Sequence, residues 1–286
     1  MGFSVNTNVS ALNTYRNLTN TQNSQSKSLE KLSSGLRINR AADDAAGLSI
    51  AEGLKAQVNG YSVAARNAQD GISVVQAAEG ALGEAQSILQ RMRDLTVQAS
   101  SDTNNADART AIGSELDELA NELNRIVDST NFNGINLMTG AADDLTVQVG
   151  AEGTGDGNTI TIALSANNLQ DIIADTVFDE TGGAGSALSV VSSADARAAI
   201  ETIDTALKAV STARSGLGAT QNRLEYAISN INVAAENLTS AESRIRDVDM
   251  AKEMMNYSRT NILSQAGTAM LAQANQSNAG VLQLLG

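Results

Sequence analysis

The sequence predicts a mainly α-helical fold, in which N-terminal and C-terminal segments form a long coiled-coil rod with a small β-hairpin-containing insert. Three observations predict it. The 286 residues include no proline, so nothing in the chain imposes a helix break. Aromatic residues make up only 2 % of the chain, which leaves Leu, Ile, Val and Ala to build the interior. Apolar residues with helical 3–4 spacing continue for about 50 residues in the second half of the chain.

The first segment, residues 1–44, is predicted to form a helix that is weak on its own. Residues 1–15 carry no charged side chain, and residues 19–28 are almost wholly polar. The apolar residues with helical spacing are Val9, Leu12, Leu18, Leu29 and Leu32. Such a helix hides little apolar area, so we expect the segment to be disordered in the free chain and helical once packed.

Residues 45–140 are predicted to supply the N-terminal part of the rod as two helices, each with an apolar seam. The first seam consists of Val75, Ala78, Leu82, Ala85, Leu89, Met92, Thr96 and Ala99. The second consists of Ile112, Leu116, Leu119, Leu123 and Ile126. The Asn-Phe-Asn-Gly run at residues 131–134 is typical of a turn and ends the second helix.

Residues 141–189 form the predicted insert. Apolar residues alternate with polar ones in two short runs, which is the period of a β-strand. These residues are Leu145, Val147 and Val149, then Ile160, Ile162 and Leu164. Four glycines lie within residues 150–158, so the runs are predicted to form a hairpin with a long loop. Gly182, Gly183 and Gly185 predict another loop before a helix resumes near Ser193.

Residues 190–250 are predicted to form one long rod helix with a coiled-coil seam. Its apolar seam residues are Ile200, Ile203, Leu207, Val210, Leu217, Leu224, Ile228, Ile231, Leu238 and Ile245. Arg214, Gln221, Glu242 and Asp249 interrupt the seam. We expect these four residues to set the register of the helix or to face a neighbouring subunit.

The last segment, residues 251–286, resembles the first in its chemistry. Residues 260–286 carry no charge, and small or apolar residues recur there with helical spacing. Polar residues interrupt every apolar run well before the ~20 residues that a membrane span needs, so we expect no membrane insertion. Two uncharged ends rich in small residues indicate burial against protein.

Most enzyme chemistry is excluded by composition. Histidine and cysteine are absent, which removes Ser-His-Asp and Cys-His nucleophiles, thiolates and zinc sites built on these residues. The net charge of −13 disfavours nucleic acid as a partner. No glycine loop has the spacing that cradles a phosphate. We therefore expect no catalytic residues, no cofactor and no metal.

Two carboxylate-bearing motifs have ordinary structural interpretations. Asp43 and Asp44 are expected to form local ion pairs with Arg37 and Arg40 rather than a catalytic pair. The glycine-rich stretch 150–159, which contains Asp156, is interpreted as a hairpin loop in preference to a calcium site. The first eight residues lack the basic region and apolar stretch of a Sec signal peptide.

Six blocks of the chain resemble bacterial flagellin. They are residues 5–8, 33–50, 89–95, 243–251, 262–267 and 270–276. The resemblance implies a structural subunit that leaves the cell unfolded through the flagellar type III export apparatus and polymerises into the filament of the extracellular flagellum. It implies as partners further copies of the chain, an export chaperone, the cap protein and hook-junction proteins.

The resemblance also assigns residues. It implies that the N- and C-terminal helices pair in the filament core, through Val9, Leu12, Leu29, Leu32, Ile262, Ala266, Ala269, Met270, Leu282 and Leu285. In flagellins that activate a host Toll-like receptor, it places the contact on Arg91, Leu95 and Glu115. The alternative is that Arg91 supports subunit packing and Glu115 pairs with it. Two rival identities are a hook–filament junction protein and an enzyme housed in the insert.

Overall fold

The computed structural model describes residues 8–139, 144–153, 155, 157–165, 168–174 and 188–285, with side chains up to residue 277. Among these residues helices dominate, and the predicted fold class is confirmed. The elements are α1 (Val9–Ser34), α2 (Ala45–Ala99), α3 (Ala106–Ser129), β1 (Asn131–Phe132), β2 (Ile135–Asn136), β3 (Leu145–Gln148), β4 (Thr159–Ile162), α4 (Leu169–Ala174), α5 (Ser193–Arg246) and α6 (Met250–Leu285).

The chain divides into two compact units. The terminal unit contains residues 1–56 and 236–286, and the central unit contains residues 57–235. The unit boundaries therefore fall inside α2 and α5. The boundaries proposed from sequence, near residues 44 and 250, lie instead where one helix ends and the next begins.

Local chemistry explains where the helices begin and end. Asn8 caps α1, because its side-chain oxygen accepts a hydrogen bond from the backbone N–H of Ala11 at 3.0 Å. Gly35 ends α1 with a φ of 71°, a left-handed conformation that favours glycine. Asn105 caps α3 in the same way as Asn8, through the N–H of Ala108 at 2.8 Å.

The seam predicted for α2 is buried along its whole length, from Val75 to Ala99. In α3, three of the five predicted seam residues are buried, and Leu119 and Ile126 are half-buried. Ala120 and Val127, one residue later, are buried in their place. The core of the central unit is thus built from aliphatic side chains, as the scarcity of aromatic residues predicts.

The α5 seam follows the predicted spacing, but one of its two rows is displaced. The first row is buried in the central unit and consists of Ile203, Val210, Leu217, Leu224 and Ile231. The residues predicted for the second row, Ile200, Leu207 and Ile228, are only half-buried. The fully buried second row lies one residue earlier, at Ala199, Ala206 and Ala213. Alanine lets a neighbouring backbone approach closely, so the larger side chains flank the seam. Leu238 and Ile245, in the terminal unit, are also half-buried.

Arg214, one of the four polar residues that interrupt the seam, has contacts with α2 that agree with the predicted register-setting role. Its guanidinium donates to Gln86 at 2.6 Å and to Glu79 at 3.4 Å, both on α2. Nearby, Arg93 of α2 donates to Asp204 of α5 at 2.6 Å, and this bond lowers the pKa of the Asp204 carboxyl. These polar contacts between α2 and α5 discriminate against a slipped register, because a slip separates the partners.

The other three interrupting residues have local partners. Gln221 donates to Glu225 on the same helix at 3.0 Å. Glu242 lies 3.8 Å from the guanidinium of Arg246, also on α5. Asp249 accepts from the backbone N–H of Lys252 at 3.1 Å and so caps the start of α6.

The predicted hairpin in the insert is confirmed. β3 and β4 pair antiparallel, with Leu145 opposite Ile162 and Val147 opposite Ile160. The loop that Gly182, Gly183 and Gly185 predict lies outside the described residues, and the helix resumes at Ser193 as expected.

Two short elements of the central unit were not predicted from sequence. The turn at residues 131–134 is the tip of a second hairpin, formed by β1 and β2. Asn133 and Gly134 both have positive φ, 49° and 82°, which is the geometry of a tight two-residue turn. Helix α4 is one and a half turns long and buries Leu169 and Ile173.

Replacement of Leu224 by aspartate is expected to destabilise the central unit by several kcal/mol, because it places an unpaired charge in the core. Leu224 is fully buried and lies against Gly71 of α2. The control is Tyr226→Asp, two residues away on the same helix, where the side chain is 78 % exposed. Thermal unfolding followed by circular dichroism measures both. Equal melting temperatures for the two variants would show that the α5 seam is misassigned.

Candidate functional site

Two of the flagellin-like blocks meet within the terminal unit. Leu36 and Asp247 form an antiparallel bridge, and the N–H of Arg37 donates to the carbonyl of Arg246 at 2.6 Å. The guanidinium of Arg37 also donates to the carbonyl of Ile245 at 2.5 Å. A cation there satisfies the terminal carbonyls of α5 and opposes the negative end of the helix dipole. The segment after α1 is thereby fixed to the end of α5.

The ion pairs predicted for Asp43 and Asp44 are replaced by backbone hydrogen bonds. One oxygen of Asp43 accepts from the N–H groups of Asn39 and Arg40 at 3.2 and 3.1 Å, which lowers the pKa of this carboxyl. Asp44 accepts from the N–H of Gly47 at 2.9 Å, at the first turn of α2. Backbone donors this close in sequence are better placed than arginine side chains.

The arginines expected beside this pair have other partners. Arg40 donates to Glu30 of α1 at 2.7 Å, whereas Arg37 is engaged at the end of α5. The mostly buried side chain of Arg246 adds a further connection, since its guanidinium contacts Glu52 of α2 at 3.0 Å. The flagellin-like residues between α1 and α2 therefore connect the segment to α1, α2 and α5.

Removal of the Asp44 cap is expected to lower the stability of the terminal unit by about 1 kcal/mol. Asp44→Ala leaves the N–H of Gly47 without its side-chain acceptor, whereas Asp44→Asn retains an acceptor oxygen at the same position. The dissociation temperature of assembled protein measures the difference. A fall for the asparagine variant as large as that for the alanine variant would contradict a capping role.

Helices α1 and α6 pack against one another through small and polar residues. Leu18 of α1 is buried, and a Cβ atom on Gly267 would lie only 3.1 Å from its Cδ1. The side chain of Asn8 donates to the carbonyl of Ala274 at 3.0 Å. Residues of α6 that are half-buried recur every three or four positions, at Asn256, Thr260, Ser264, Gly267, Leu271 and Ala274. The face of α6 toward α1 is therefore narrow and carries little apolar area.

Apart from Leu18 and Leu271, most large apolar side chains of the helix pair lie outside this contact. Their exposed fractions range from 47 % for Met250 to 67 % for Ile262. On α1 they are Val9, Leu12, Tyr15 and Leu29; on α6 they are Met250, Met254, Met255, Ile262, Leu263 and Met270. We call these residues the outward apolar face. A shallow groove of about 480 Å³ on α6 is lined by Met254, Met255, Ser258, Arg259, Ile262 and Leu263.

The outward apolar face includes five of the ten residues that the resemblance assigns to filament-core packing: Val9, Leu12, Leu29, Ile262 and Met270. Ala266 and Ala269 are also exposed, and Leu32 is half-buried. The side chains of Leu282 and Leu285 lie outside those that the structure describes. The α1–α6 contact is therefore made mainly by other residues, most of which have smaller side chains. The structure describes the two end segments as helices, the form expected on packing, and their disorder in the free chain stays a prediction.

The three residues that the resemblance assigns to a receptor contact do not form one exposed cluster in the central unit. Arg91 and Glu115 are both exposed, and Nε and Nη2 of Arg91 donate to the same Glu115 oxygen at 3.1 and 2.6 Å. Leu95 is only 3 % exposed and belongs to the core. Leu95 lies three residues after Met92 and four before Ala99, which are both buried residues of the α2 seam. This helical spacing alone could have indicated that Leu95 is buried and excluded it as an exposed anchor.

The described residues offer neither a metal centre nor a membrane-spanning helix. They contain no cluster of three or more His, Cys, Asp or Glu side chains able to hold a metal. Asp156, the acidic residue of the glycine-rich loop, lies outside the described residues. Within the part of the chain described, no helix has an apolar stretch long enough to cross a membrane.

The fold and its terminal helices define a structural subunit with an exposed face for protein contacts. A family model described as the bacterial flagellin N-terminal helical region matches residues 5–143. Another, described as the bacterial flagellin C-terminal helical region, matches residues 200–285. The chain belongs to the bacterial flagellin family. It is a self-associating structural subunit of the filament of the bacterial flagellum, and it is not an enzyme.

Relatives match along nearly the whole chain. A flagellin of Halalkalibacterium halodurans is 51 % identical over 285 residues, covering 98 % of this chain and 99 % of the relative. A flagellin of Bacillus subtilis strain 168 is 44 % identical over 310 residues, with the same coverage. The crystal structure of Bacillus cereus flagellin is 29 % identical with a TM-score of 0.50, and it matches 62 % of this chain and 94 % of its own.

Proposed function

We propose that this flagellin polymerises through the outward apolar face of α1 and α6, after export as an unfolded chain through the flagellar type III apparatus. The observation that carries the proposal is the arrangement of the terminal helices. They contact each other mainly through small and polar residues and Leu18, while most of their large apolar side chains are exposed. Packing against neighbouring subunits removes these side chains from water.

The charge distribution supports the same assignment. Residues 1–15 and 260–286 carry no charged side chain, although the chain as a whole has a net charge of −13. Burying apolar area contributes about 25 cal/mol per Å², whereas burying an unpaired charge costs far more. The parts of the face in these two end segments can therefore be covered by other copies of the chain without a desolvation penalty for ionised side chains, and Arg259 is the one charged residue that lines the α6 groove.

The geometry of a filament requires two different surfaces on each subunit. A head-to-tail contact between unlike surfaces generates an open helical assembly, whereas a self-complementary contact closes into a dimer. The terminal unit offers two such surfaces, one on α1 and one on α6. We assign the α6 groove of one subunit to contact with α1 of the next.

Placing a charge on the outward apolar face is expected to abolish polymerisation. Ile262→Asp introduces a carboxylate where the side chain is 67 % exposed in the free subunit, so the subunit itself should fold normally. Ile262→Leu conserves volume and apolarity and should polymerise like the wild type. Deletion of residues 1–15 or 260–286 should leave a soluble bundle of roughly 45–250 that forms no filaments. Electron microscopy and light scattering measure the outcome, and normal filaments from Ile262→Asp would contradict the assignment.

The partners follow from the export and assembly route. We propose that an export chaperone binds the chain before export and that the cap and hook-junction proteins contact it during assembly. Absence of the protein from the culture medium of a strain that lacks the flagellar export apparatus tests the route. Secretion that persists in that strain and ceases when Sec export is blocked would overturn it.

We further propose that a host Toll-like receptor recognises the surface around Arg91 and Glu115. The pair is exposed, and a guanidinium–carboxylate pair presents directional donors and acceptors to a partner. Leu95 is left out of the proposal because it is buried. The alternative is that the pair only stabilises the contact between α2 and α3.

Arg91→Ala is expected to weaken binding of the free subunit to the receptor at least tenfold, which is about 1.4 kcal/mol. The matched control is Arg125→Ala, which breaks an exposed ion pair of Arg125 with Glu122 within α3. Surface plasmon resonance with the receptor ectodomain measures affinity, and thermal unfolding verifies the fold. Unchanged affinity for Arg91→Ala would leave the pair with a structural role alone.

A further inference from the structure

The methionines of this chain divide sharply by environment. The sequence contains seven. Met92 and Met138 are buried in the core of the central unit. Four others are all on α6 and exposed: Met250, Met254, Met255 and Met270. Met1 lies outside the described residues. An exposed thioether is the side chain, in a protein without cysteine, that a peroxide attacks most readily.

We propose that the α6 methionines are a modification site for two-electron peroxide oxidants, and that their oxidation prevents the subunit from polymerising. The proposal rests on the proposed function, because it requires the outward apolar face to be buried between copies of this chain. The oxidation state of these methionines then determines whether a subunit can polymerise.

The chemical step is a simple oxygen transfer. The sulfur lone pair of methionine attacks one peroxide oxygen, the S–O bond forms and the O–O bond breaks. The remaining peroxide oxygen leaves as water after taking up the proton from the transferred oxygen. Sulfur is oxidised by two electrons, and hydrogen peroxide is reduced by two. Methionine sulfoxide reductases reverse the change, with one enzyme for each sulfoxide epimer.

The positions of Met254 and Met255 make the modification consequential. Both line the α6 groove together with Ile262 and Leu263. Oxidation converts a flexible apolar side chain into one with a strongly polar oxygen, on a face that the next subunit must cover. A buried oxygen without a hydrogen-bond donor opposes that contact. Once the contact has formed, the same thioethers are shielded, so sensitivity should be confined to the unassembled subunit.

The experiment treats the full-length wild-type subunit with dilute hydrogen peroxide, removes the oxidant with catalase and then induces polymerisation. Peptide mass spectrometry should find one added oxygen on each of the four α6 methionines and none on Met92 or Met138. The critical concentration for polymerisation should rise at least tenfold. Incubation with both methionine sulfoxide reductases and excess dithiothreitol, which supplies the two electrons for each sulfoxide and is oxidised to its disulfide, should restore the untreated value. Preformed filaments given the same treatment should remain assembled and be oxidised more slowly.

Two variants separate this site from damage elsewhere. In the first, leucine replaces Met250, Met254, Met255 and Met270, and this variant should polymerise after peroxide as it does before. In the second, leucine replaces Met92 and Met138, and this variant should remain as sensitive as the wild type. Oxidised wild type that polymerises normally would overturn the proposal. So would peroxide inactivation of the first variant, or a failure of the reductases to rescue the wild type. Untreated wild type that does not polymerise would instead refute the proposed function.

Discussion

The contact between α1 and α6 determines which side chains of the terminal unit are buried and which remain exposed. It is made where Leu18 meets Gly267, and where Asn8 donates to the carbonyl of Ala274. Leu18, a glycine and short polar residues bring the two helices together, and most of the large apolar side chains take no part in the contact. Those side chains are left for other molecules, so the intrachain contact leaves exposed the surface that we propose for assembly.

The central unit uses the same residue types to build a core within one chain. Alanine rows, such as Ala199, Ala206 and Ala213 on α5, let helices approach, and the aliphatic row from Ile203 to Ile231 fills the interior. Apolar packing alone tolerates a slip of one heptad. The polar contacts of Arg214 with Gln86 and Glu79, and of Arg93 with Asp204, select one register. This unit is therefore specified internally, and its outer surface is free to be polar.

Sequence periodicity predicts the long helices well, because a seam that repeats over many turns remains recognisable even where a few of its positions are polar. It predicts α2 and one row of α5, and it misplaces the second row by one residue because Leu207 is more apolar than the neighbouring Ala206. It cannot predict α4, whose few residues give no period, or the strands beside Asn133, which are two residues long. The resemblance assigns Leu95 to the receptor contact, although its spacing from Met92 and Ala99 already indicates that it is buried.

A further limit of sequence periodicity concerns the outward apolar face. Ile262 and Met270 have the spacing of core residues, and spacing does not reveal whether the core belongs to one chain or to several. The deciding observation is which residues the chain already uses internally. In α6 these are Gly267, Leu271, Ala274 and polar residues, so most large apolar positions remain available. A subunit whose internal contacts are weak and whose external contacts are apolar gains much of its terminal order from its neighbours. On the proposed function, assembly and folding of the chain ends are a single process, and a chemical change on the outward apolar face would act on both.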